Sequence, residues 1–573
     1  MARTRDQLVQ ELTAPGGPFE IVEKPVRGVP LRVYTMPPRT LRDVVMSMEQ
    51  HADRDYLVYR GERWTFGDGL RIIAGLATHL REQYGVRRGD RVAIAMRNYP
   101  EWPFAFWACQ VLGAVAVPLN AWWTGPELAY ALGDSGAVAL FADGERVERL
   151  QPERAGLPQL RHVVCVRGDT AHSDTHPWQD VLDALDPGAT LPDPDIDTDD
   201  DATIMYTSGT TGVPKGAVAT HRNHCTNLLN TALLGAVNAV LAAPDGAAPQ
   251  APAAPAQPAS LQTFPLFHIG GLTGLYVNTA FGGKIVLQYK WDTAEALDLI
   301  EQEGITGLAL VPTLLRRLLE SPEIEKRDLS TLGGISSGGA PVPADLITRI
   351  ESDFERKVAP ANGYGLTETT SAVIVNAADM YFAHPDSIGR PVPGTDVRVV
   401  EPGGDDVPTG EVGELWVRGP NVVRGYWNKP EATAEAFTDG WFHTGDLGYV
   451  DADGFVYVVD RLKDVVLRGG ENVYCAEVEA VLYQHPAVYD AAVIGVPHPS
   501  LGEEVAAVVQ PRPGSDLGAD EVRRYAAQHL AAFKVPVHVF VQREDLPRNA
   551  AGKVLKRELR ERVTQPAGLT PGA

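Results

Sequence analysis

Cysteine and basic residues are both scarce in this chain of 573 residues. The four cysteines (Cys109, Cys165, Cys225 and Cys475) are far apart and form no CxxC pair, which argues against a disulfide framework and a zinc site. Lys and Arg total 51 against 74 Asp and Glu, a net charge of −23. This excess of acid argues against nucleic acid and against docking on anionic membranes.

Long apolar runs are absent too. No stretch approaches the roughly 20 apolar residues that a membrane-spanning helix needs, and the first seven residues lack the apolar core of a signal peptide. We therefore expect a cytoplasmic protein without an integral membrane segment. The length exceeds one typical domain, and 44% hydrophobic residues is ordinary for a globular protein.

Short apolar runs alternate with helical patterns from Leu41 onward. Examples are the runs at 91–96, 114–118 and 137–141, separated by helical patterns such as 104–112. This alternation predicts an α/β fold with a mostly parallel sheet covered by helices. The aromatic set Trp102, Phe104, Phe106 and Trp107 is interpreted as core packing. Residues 1–40 are interpreted as a Pro/Gly-punctuated extension, and 238–260, rich in Ala and Pro, as a mobile surface insertion.

A Gly- and Thr-rich stretch at 206–216 is the strongest local signal. It lies between an apolar strand at 202–205 and a helical pattern starting at His221. Glycine tolerates close backbone approach, and hydroxyls plus a lysine make a nest for phosphate. Lys215 is followed by Gly216 and not by Ser or Thr, so the stretch is not a Walker A loop. The predicted phosphate-binding residues are Thr207, Ser208, Gly209, Thr210, Thr211, Gly212 and Lys215.

A second polar motif spans 362–369. A flat Tyr364 between Gly363 and Gly365 is suited to stacking on a base, with Asn362 able to pair with the exocyclic amine. Thr367 offers a donor to phosphate, and Glu368 a hard oxygen ligand for Mg²⁺.

Two further segments carry residues suited to a binding site. The small-residue loop at 336–341, including Gly339 and Ala340, leaves room for a flat ligand. Downstream, Asp446 is placed to accept hydrogen bonds from both ribose hydroxyls.

Taken in order, these motifs resemble the adenylate-forming superfamily of acyl-CoA synthetases, peptide-synthetase adenylation domains and beetle luciferases. The resemblance implies a large N-terminal domain (1–462) with parallel-rich sheets and a small β-subdomain. A small, mobile α+β domain (463–573) would follow. It assigns His268, in the Phe267-His268 pair, to the border of the acyl-carboxylate site.

The resemblance also implies roles near the C-terminus. Arg461 would hold the ribose or phosphate, Lys463 would be the hinge, and Lys553 would swing into the cleft to stabilise the adenylation transition state. Family members often carry Ser where this chain has Arg468, so the role of Arg468 stays open.

The implied reaction is an ATP-dependent ligation of an acid to a thiol. A carboxylic acid, expected to be fatty or otherwise bulky and apolar, would be adenylated with release of pyrophosphate and then passed to CoA. ATP, Mg²⁺ and CoA are the expected cofactors and co-substrate, and the expected catalytic set is Lys553, Thr211, Lys215, Glu368 and His268. One alternative is transfer to a carrier protein in trans. The other is a non-catalytic nucleotide-binding protein. It would have lost some of a set of residues that are all present, namely Thr211, Lys215, Glu368, Asp446, Arg461 and Lys553.

Overall fold

The N-terminal extension is structured. The structure, a computed structural model, describes residues 3–168, 172, 174–207, 213–242, 257–340, 342–354, 357–550 and 552–564. Helices and strands are numbered along the chain. Helix α1 (Arg5–Thr13) is followed by the antiparallel hairpin β1 (Ile21–Val26) and β2 (Val29–Tyr34). The Pro/Gly-punctuated extension at residues 1–40 thus contains a helix and a hairpin, which the sequence analysis did not predict.

The first large sheet contains the strands predicted from the apolar runs. Its strands are β5 (Arg91–Ala95), β6 (Val115–Pro118), β7 (Ala139–Asp143), β8 (His162–Val166), β9 (Thr175–Pro177), β10 (Asp201–Thr207) and β11 (Lys215–Thr220). They are arranged in the order β11-β10-β6-β5-β7-β8-β9. Five neighbouring pairs are parallel: β10–β6, β6–β5, β5–β7, β7–β8 and β8–β9. Strands β10 and β11 form an antiparallel hairpin. Strand β11 was not predicted, because the sequence pattern indicated that the helix at His221 follows the Gly- and Thr-rich stretch directly.

The second large sheet is also parallel in its centre. Its strands are β3 (Asp55–Tyr59), β4 (Glu62–Thr65), β12 (Ala259–Gln262), β13 (Lys284–Leu287), β14 (Gly307–Leu310), β15 (Gly334–Gly338), β16 (Ala359–Leu366), β17 (Ser371–Ala377) and β18 (Arg390–Pro391). Their order is β18-β17-β16-β15-β14-β12-β13-β3-β4. Antiparallel pairs occur at its two edges, β3–β4 and β16–β17–β18.

Two smaller sheets follow along the chain. The third sheet is antiparallel and contains β19 (Asp396–Val400), β20 (Gly413–Arg418), β21 (Phe437–Thr438), β22 (Trp441–Val450) and β23 (Val456–Arg461). The fourth contains β24 (Val466–Arg468), β25 (Glu471–Val473), β26 (Val488–His498), β27 (Gly502–Pro511) and β28 (His538–Val541). The change from one sheet to the next takes place in the turn after Arg461, which contains Lys463.

Helices cover the sheets. In chain order they are α2 (Leu41–Met46), α3 (Phe66–Glu82), α4 (Glu101–Leu112), α5 (Gly125–Ser135), α6 (Gly144–Leu150), α7 (Trp178–Asp183), α8 (His221–Ala242), α9 (Ile269–Ala280), α10 (Thr293–Glu303), α11 (Pro312–Leu319), α12 (Ala344–Asp353), α13 (Asp379–Ala383), α14 (Pro430–Ala436), α15 (Cys475–Tyr483), α16 (Ala519–His529) and α17 (Lys556–Thr564). Residues 238–242 of the expected insertion belong to α8, and 243–256 lie outside the described residues. No described helix is long and apolar enough to cross a membrane.

One hydrophobic core joins the two large sheets. It includes side chains from α2, α3, α4 and α9 together with inward residues of β3, β5 and β13. The expected core aromatics are confirmed, because Trp102, Phe104, Phe106 and Trp107 are 0–2% exposed. The side chain of Asn98, just after β5, donates to the carbonyl of Phe264 and accepts from the N–H of Leu266, just after β12. The carboxyl ends of both sheets therefore meet, which is where parallel sheets place ligands.

Candidate active site

The two ends of the predicted phosphate cradle are held by the β10–β11 hairpin. Thr207 ends β10 and Lys215 begins β11, and the two are register partners. The Lys215 ammonium lies 5.2 Å from the centre of the Tyr426 ring, a cation–π contact. Tyr206 donates to Asp134 at 2.7 Å. The intervening predicted residues, Ser208, Gly209, Thr210, Thr211 and Gly212, lie outside the described residues.

Glu368 is a buried carboxylate facing the lysine end of the cradle. It lies in a single 3-10 turn, Thr367–Thr369, directly after β16, and is 9% exposed. Its Oε1 accepts from the Tyr426 hydroxyl at 2.8 Å. Burial raises the pKa of Glu368, while the hydrogen bond from Tyr426 and the charges of Arg461 and Lys215 act in the opposite direction.

The surroundings of Glu368 fit a Mg²⁺ ion. Among the described residues this buried carboxylate has a hydrogen bond from Tyr426 and feels the charges of Arg461 and Lys215, but no ion pair to it is present. No cluster of three or more His, Cys, Asp or Glu residues with metal-binding geometry occurs in the described part of the chain. A single carboxylate with phosphate oxygens as the other ligands is the usual arrangement for Mg²⁺.

Tyr364, Asp446 and Arg461 form a connected group near Glu368. The Tyr364 hydroxyl donates to Oδ2 of Asp446 at 2.6 Å, and Arg461 Nε lies 3.0 Å from Oδ1. Asp446 and Arg461 are register partners on β22 and β23. Burial, followed by the Asp446 charge, raises the pKa of Tyr364 well above its usual value. The sheet therefore fixes the carboxylate, and the carboxylate fixes the tyrosine ring.

Glycines bring β15 and β16 close together beside this group. Gly338 and Gly363 are register partners, and a Cβ on Gly338 would lie 3.0 Å from the Gly363 carbonyl oxygen. A Cβ on Gly365 would lie 1.9 Å from the carbonyl oxygen of Ser371. Gly339 has φ of +79°, which favours glycine. Ala340 follows it, and Asn362 is register partner of Ser337.

His268 lies at the start of α9. Its Nδ1 accepts from the backbone N–H of Gly270 at 3.2 Å, so the imidazole caps the helix. The ring is nearly parallel to that of Phe264, with centroids 6.2 Å apart. Burial lowers the pKa of His268 to about 4, and the Lys553 charge acts in the same direction. His268 is therefore neutral at physiological pH.

Lys553 reaches this site from the opposite end of the chain. Its turn is closed by Asn549, whose Oδ1 accepts from the Lys553 N–H at 2.9 Å. A Cβ on Gly552 would lie 2.9 Å from Cγ2 of Val311, so the turn packs directly against the start of α11. Burial lowers the pKa of Lys553 to about 7; the charges of Arg461 and Lys463 add to this, and that of Asp446 opposes it.

Ion pairs hold the last sheet and its helices against the rest of the molecule. Arg317 pairs with Asp545 at 2.9 Å, and Arg512 with Glu320 at 2.9 Å. Arg468, whose role the sequence left open, pairs instead with Glu504 on β27. The predicted site residues are linked in one group. Lys553 lies near His268, Arg461 and Asp446, and Glu368 lies near Arg461 and Lys215.

The sequence analysis missed two residues of this group. The Tyr426 hydroxyl donates to Glu368, and the Lys215 ammonium lies over the Tyr426 ring. The Phe264 ring stacks with that of His268. The Gly425-Tyr426 pair was a weak signal, because a glycine by itself indicates only a turn.

Comparison with known families identifies the chain. The model of the AMP-binding enzyme family matches residues 45–427, and that of the AMP-binding enzyme C-terminal domain matches 477–553. The chain belongs to the AMP-binding enzyme family, within the adenylate-forming superfamily. Its reaction class is that of a CoA ligase acting on a small-molecule acid, with ATP, Mg²⁺ and CoA.

Several relatives are similar over almost the whole chain. A feruloyl-CoA synthase from Amycolatopsis sp is 41% identical over 504 residues, covering 88% of this chain and 94% of the relative. A long-chain-fatty-acid–CoA ligase from Yersinia pestis is 34% identical over 537 residues, covering 89% and 92%. The crystal structure of the anthranilate CoA ligase AuaEII with anthranoyl-AMP has a TM-score of 0.81 at 27% identity, covering 91% of this chain and 96% of that one.

Proposed function

We propose that this chain joins a ring-bearing carboxylic acid to CoA in two steps within one cleft. The acid carboxylate first attacks the α-phosphate of ATP, and pyrophosphate leaves. The CoA sulfur then attacks the carbonyl carbon of the acyl-adenylate, and AMP leaves. A carboxylate is already nucleophilic, so the first step depends on positioning and on neutralising charge.

Cationic side chains at the two ends of the cleft neutralise the phosphates. Lys215 lies at the cradle, and Arg461 and Lys553 approach from the other side. Glu368 would hold Mg²⁺, which when bound withdraws charge from the phosphate oxygens. Tyr426 keeps the Glu368 carboxylate in place by its 2.8 Å hydrogen bond. Asp446 and Tyr364 orient the ribose and the base.

The neutral His268 positions the acid. Since its Nδ1 accepts from the Gly270 N–H, the proton of the neutral ring is on Nε2. That N–H is a donor for a carboxylate oxygen. Because the ring does not ionise near pH 7, it orients the acid without a competing ion pair.

Two glycines lie against the Phe264 ring beside His268. A Cβ on Gly339 would lie 3.8 Å from Phe264 Cε1 and 3.8 Å from Val311 Cγ1, which is ordinary contact distance. Gly270 faces the same ring, with a Cβ position 3.5 Å from Phe264 Cδ1. Glycine in a helix costs about 1 kcal/mol relative to alanine. No backbone clash requires glycine at position 270, and an added methyl group there would contact both the Phe264 and the His268 rings.

The relatives support the same substrate class. The feruloyl-CoA synthase is more similar to this chain than the long-chain-fatty-acid–CoA ligase is, at 41% against 34% identity over comparable lengths. The structure of AuaEII holds an aromatic adenylate. We therefore narrow the expected bulky apolar acid to one with a ring near the carboxylate.

Acid-dependent exchange of pyrophosphate into ATP tests the substrate. The panel contains phenylpropenoic, benzoic and succinylbenzoic acids beside saturated acids of matched carbon number. We expect kcat/KM to be highest for an acid with an aromatic ring. A higher value for the saturated acid of equal size would contradict the ring assignment while leaving the adenylation mechanism intact.

The acceptor is tested separately. Preformed adenylate is offered either CoA or a phosphopantetheinylated carrier protein, and thioester is measured on each. Thioester on CoA is expected, and thioester on the carrier alone would replace CoA by a carrier as the acceptor.

A further inference from the structure

A buried carboxylate links the third sheet to the unit that follows Lys463. Asp460 is the penultimate residue of β23 and is 5% exposed. Its Oδ1 accepts from the backbone N–H of Arg461 at 2.7 Å, and its Oδ2 accepts from the backbone N–H of Cys475. Cys475 is the first residue of α15. The contact therefore joins residues on opposite sides of Lys463.

Helix α15 lacks a cap from its own segment. Its N-cap residue, Tyr474, makes no side-chain capping hydrogen bond. The first N–H groups of a helix need acceptors and favour negative charge. The carboxylate of Asp460 meets both needs from a different sheet. The Cys475 thiol also donates to the carbonyl of Asp464 at 3.0 Å, a contact within the segment that follows Lys463.

A buried lysine completes the cluster. Lys556 pairs with Glu479 of α15 at 2.7 Å, and Glu479 also accepts from the N–H of Val493 on β26 at 2.8 Å. Burial raises the pKa of Asp460 to about 6, against the opposing charge of Lys556. Lys556 begins α17 and lies three residues after Lys553. The elements that Asp460 holds are thus continuous with the turn that carries Lys553.

We propose that Asp460 is a positioning residue that holds the small unit in the orientation in which Lys553 enters the cleft. This inference rests on the proposed two-step function, in which Lys553 acts in adenylate formation and must withdraw before CoA attacks. The Asp460–Cys475 hydrogen bond forms in the first orientation and breaks on rotation about Lys463. Asp460 favours the first half-reaction without touching either substrate.

Three variants test this role. Asp460→Ala removes the acceptor and the charge, whereas Asp460→Asn keeps an acceptor and loses the charge. The matched control is Asp451→Ala, because Asp451 also accepts from two backbone N–H groups, those of Asp453 and Phe455, in the turn between β22 and β23. Adenylate formation is measured by pyrophosphate exchange, and thioester formation from preformed adenylate and CoA.

We expect Asp460→Ala to slow adenylate formation by on the order of ten- to a hundredfold, the range for a buried hydrogen bond to a charged group. Thioester formation should be unchanged or faster. Asp460→Asn should be intermediate, and Asp451→Ala should leave the ratio of the two rates unchanged. Equal losses in both half-reactions with Asp460→Ala would show a merely structural role, and unchanged rates would remove Asp460 from the mechanism. Absence of pyrophosphate exchange in the wild type would instead refute the proposed function.

Discussion

Lys553 should take up a proton when ATP binds. In the structure its pKa is lowered to about 7 by burial and by the charges of Arg461 and Lys463. Bound phosphates favour the charged form and raise the pKa again. The lysine is therefore largely neutral above pH 7 before ATP binds and charged afterwards.

The size of this effect follows from the pKa. With a value of about 7 in the free protein, about one tenth of Lys553 is protonated at pH 8, so full protonation on binding takes up about 0.9 proton. At pH 6 about nine tenths is already protonated, and uptake falls to about 0.1 proton. Because ATP binding is coupled to proton uptake, linkage requires the affinity for ATP to fall as pH rises above about 7.

Calorimetry measures this uptake directly. A non-hydrolysable ATP analogue is titrated with Mg²⁺ at pH 8, where the analogue itself is fully ionised, in buffers of different ionisation enthalpy. Lys553→Met keeps the apolar stem and removes the titrating group. The wild type should take up more protons than the variant by about 0.9. Equal uptake by the two would refute the assignment of the proton to Lys553.

The same variant separates the half-reactions. Lys553→Met should slow adenylate formation by about 10²–10³-fold, the cost of removing one preorganised donor. Thioester formation from preformed adenylate should be spared. A loss of equal size in both would contradict the role of Lys553.

Three further changes probe the hinge, the Mg²⁺ ligand and the glycine at position 270 beside the Phe264 ring. Lys463→Pro fixes φ at about −65° and should slow overall turnover while sparing one half-reaction. Unchanged turnover would exclude Lys463 as the hinge. Tyr426→Phe removes a donor that lowers the pKa of Glu368, so the acidic limb of the adenylation pH profile should move to higher pH, and an unmoved limb would contradict this. Gly270→Ala should raise stability by up to about 1 kcal/mol, measured by urea unfolding, yet lower kcat/KM for ring-bearing acids. The matched control is Gly235→Ala in α8, where no atom lies within 4 Å of the added Cβ. Equal changes in kcat/KM for the two variants would argue against a role of Gly270 in binding the acid.

The central fold was predictable because buried parallel strands are apolar throughout. The runs that became β5, β6 and β7 needed no long-range information. Strand β11 was missed because Lys215 and Gly216 resemble loop residues, and their pairing with β10 is set by the hairpin. The hairpin β1–β2 turns through Arg27 and Gly28 with φ of 49° and 82°. Its signal was Gly28 between apolar stretches, weakened by the prolines in both strands.

The roles predicted for Glu368 and Asp446 come from local motifs that carry the chemistry. Contacts that join distant segments were not predictable in this way. Tyr426 holds Glu368 across 58 positions of sequence, and Asp460 caps α15 across a turn. These two contacts could not be predicted from a local motif, because each one joins residues from different sheets or helices that meet only in the folded protein.

Transfer of oxygen from the acid tests the central claim, adenylation of a carboxylate, most directly. The protein is incubated with ATP, Mg²⁺, CoA and an aromatic acid labelled with ¹⁸O in both carboxyl oxygens, and the products are examined by mass spectrometry. Attack of the carboxylate on the α-phosphate predicts one ¹⁸O in AMP and none in pyrophosphate. Unlabelled AMP, or label in inorganic phosphate with ADP as the other product, would contradict the account.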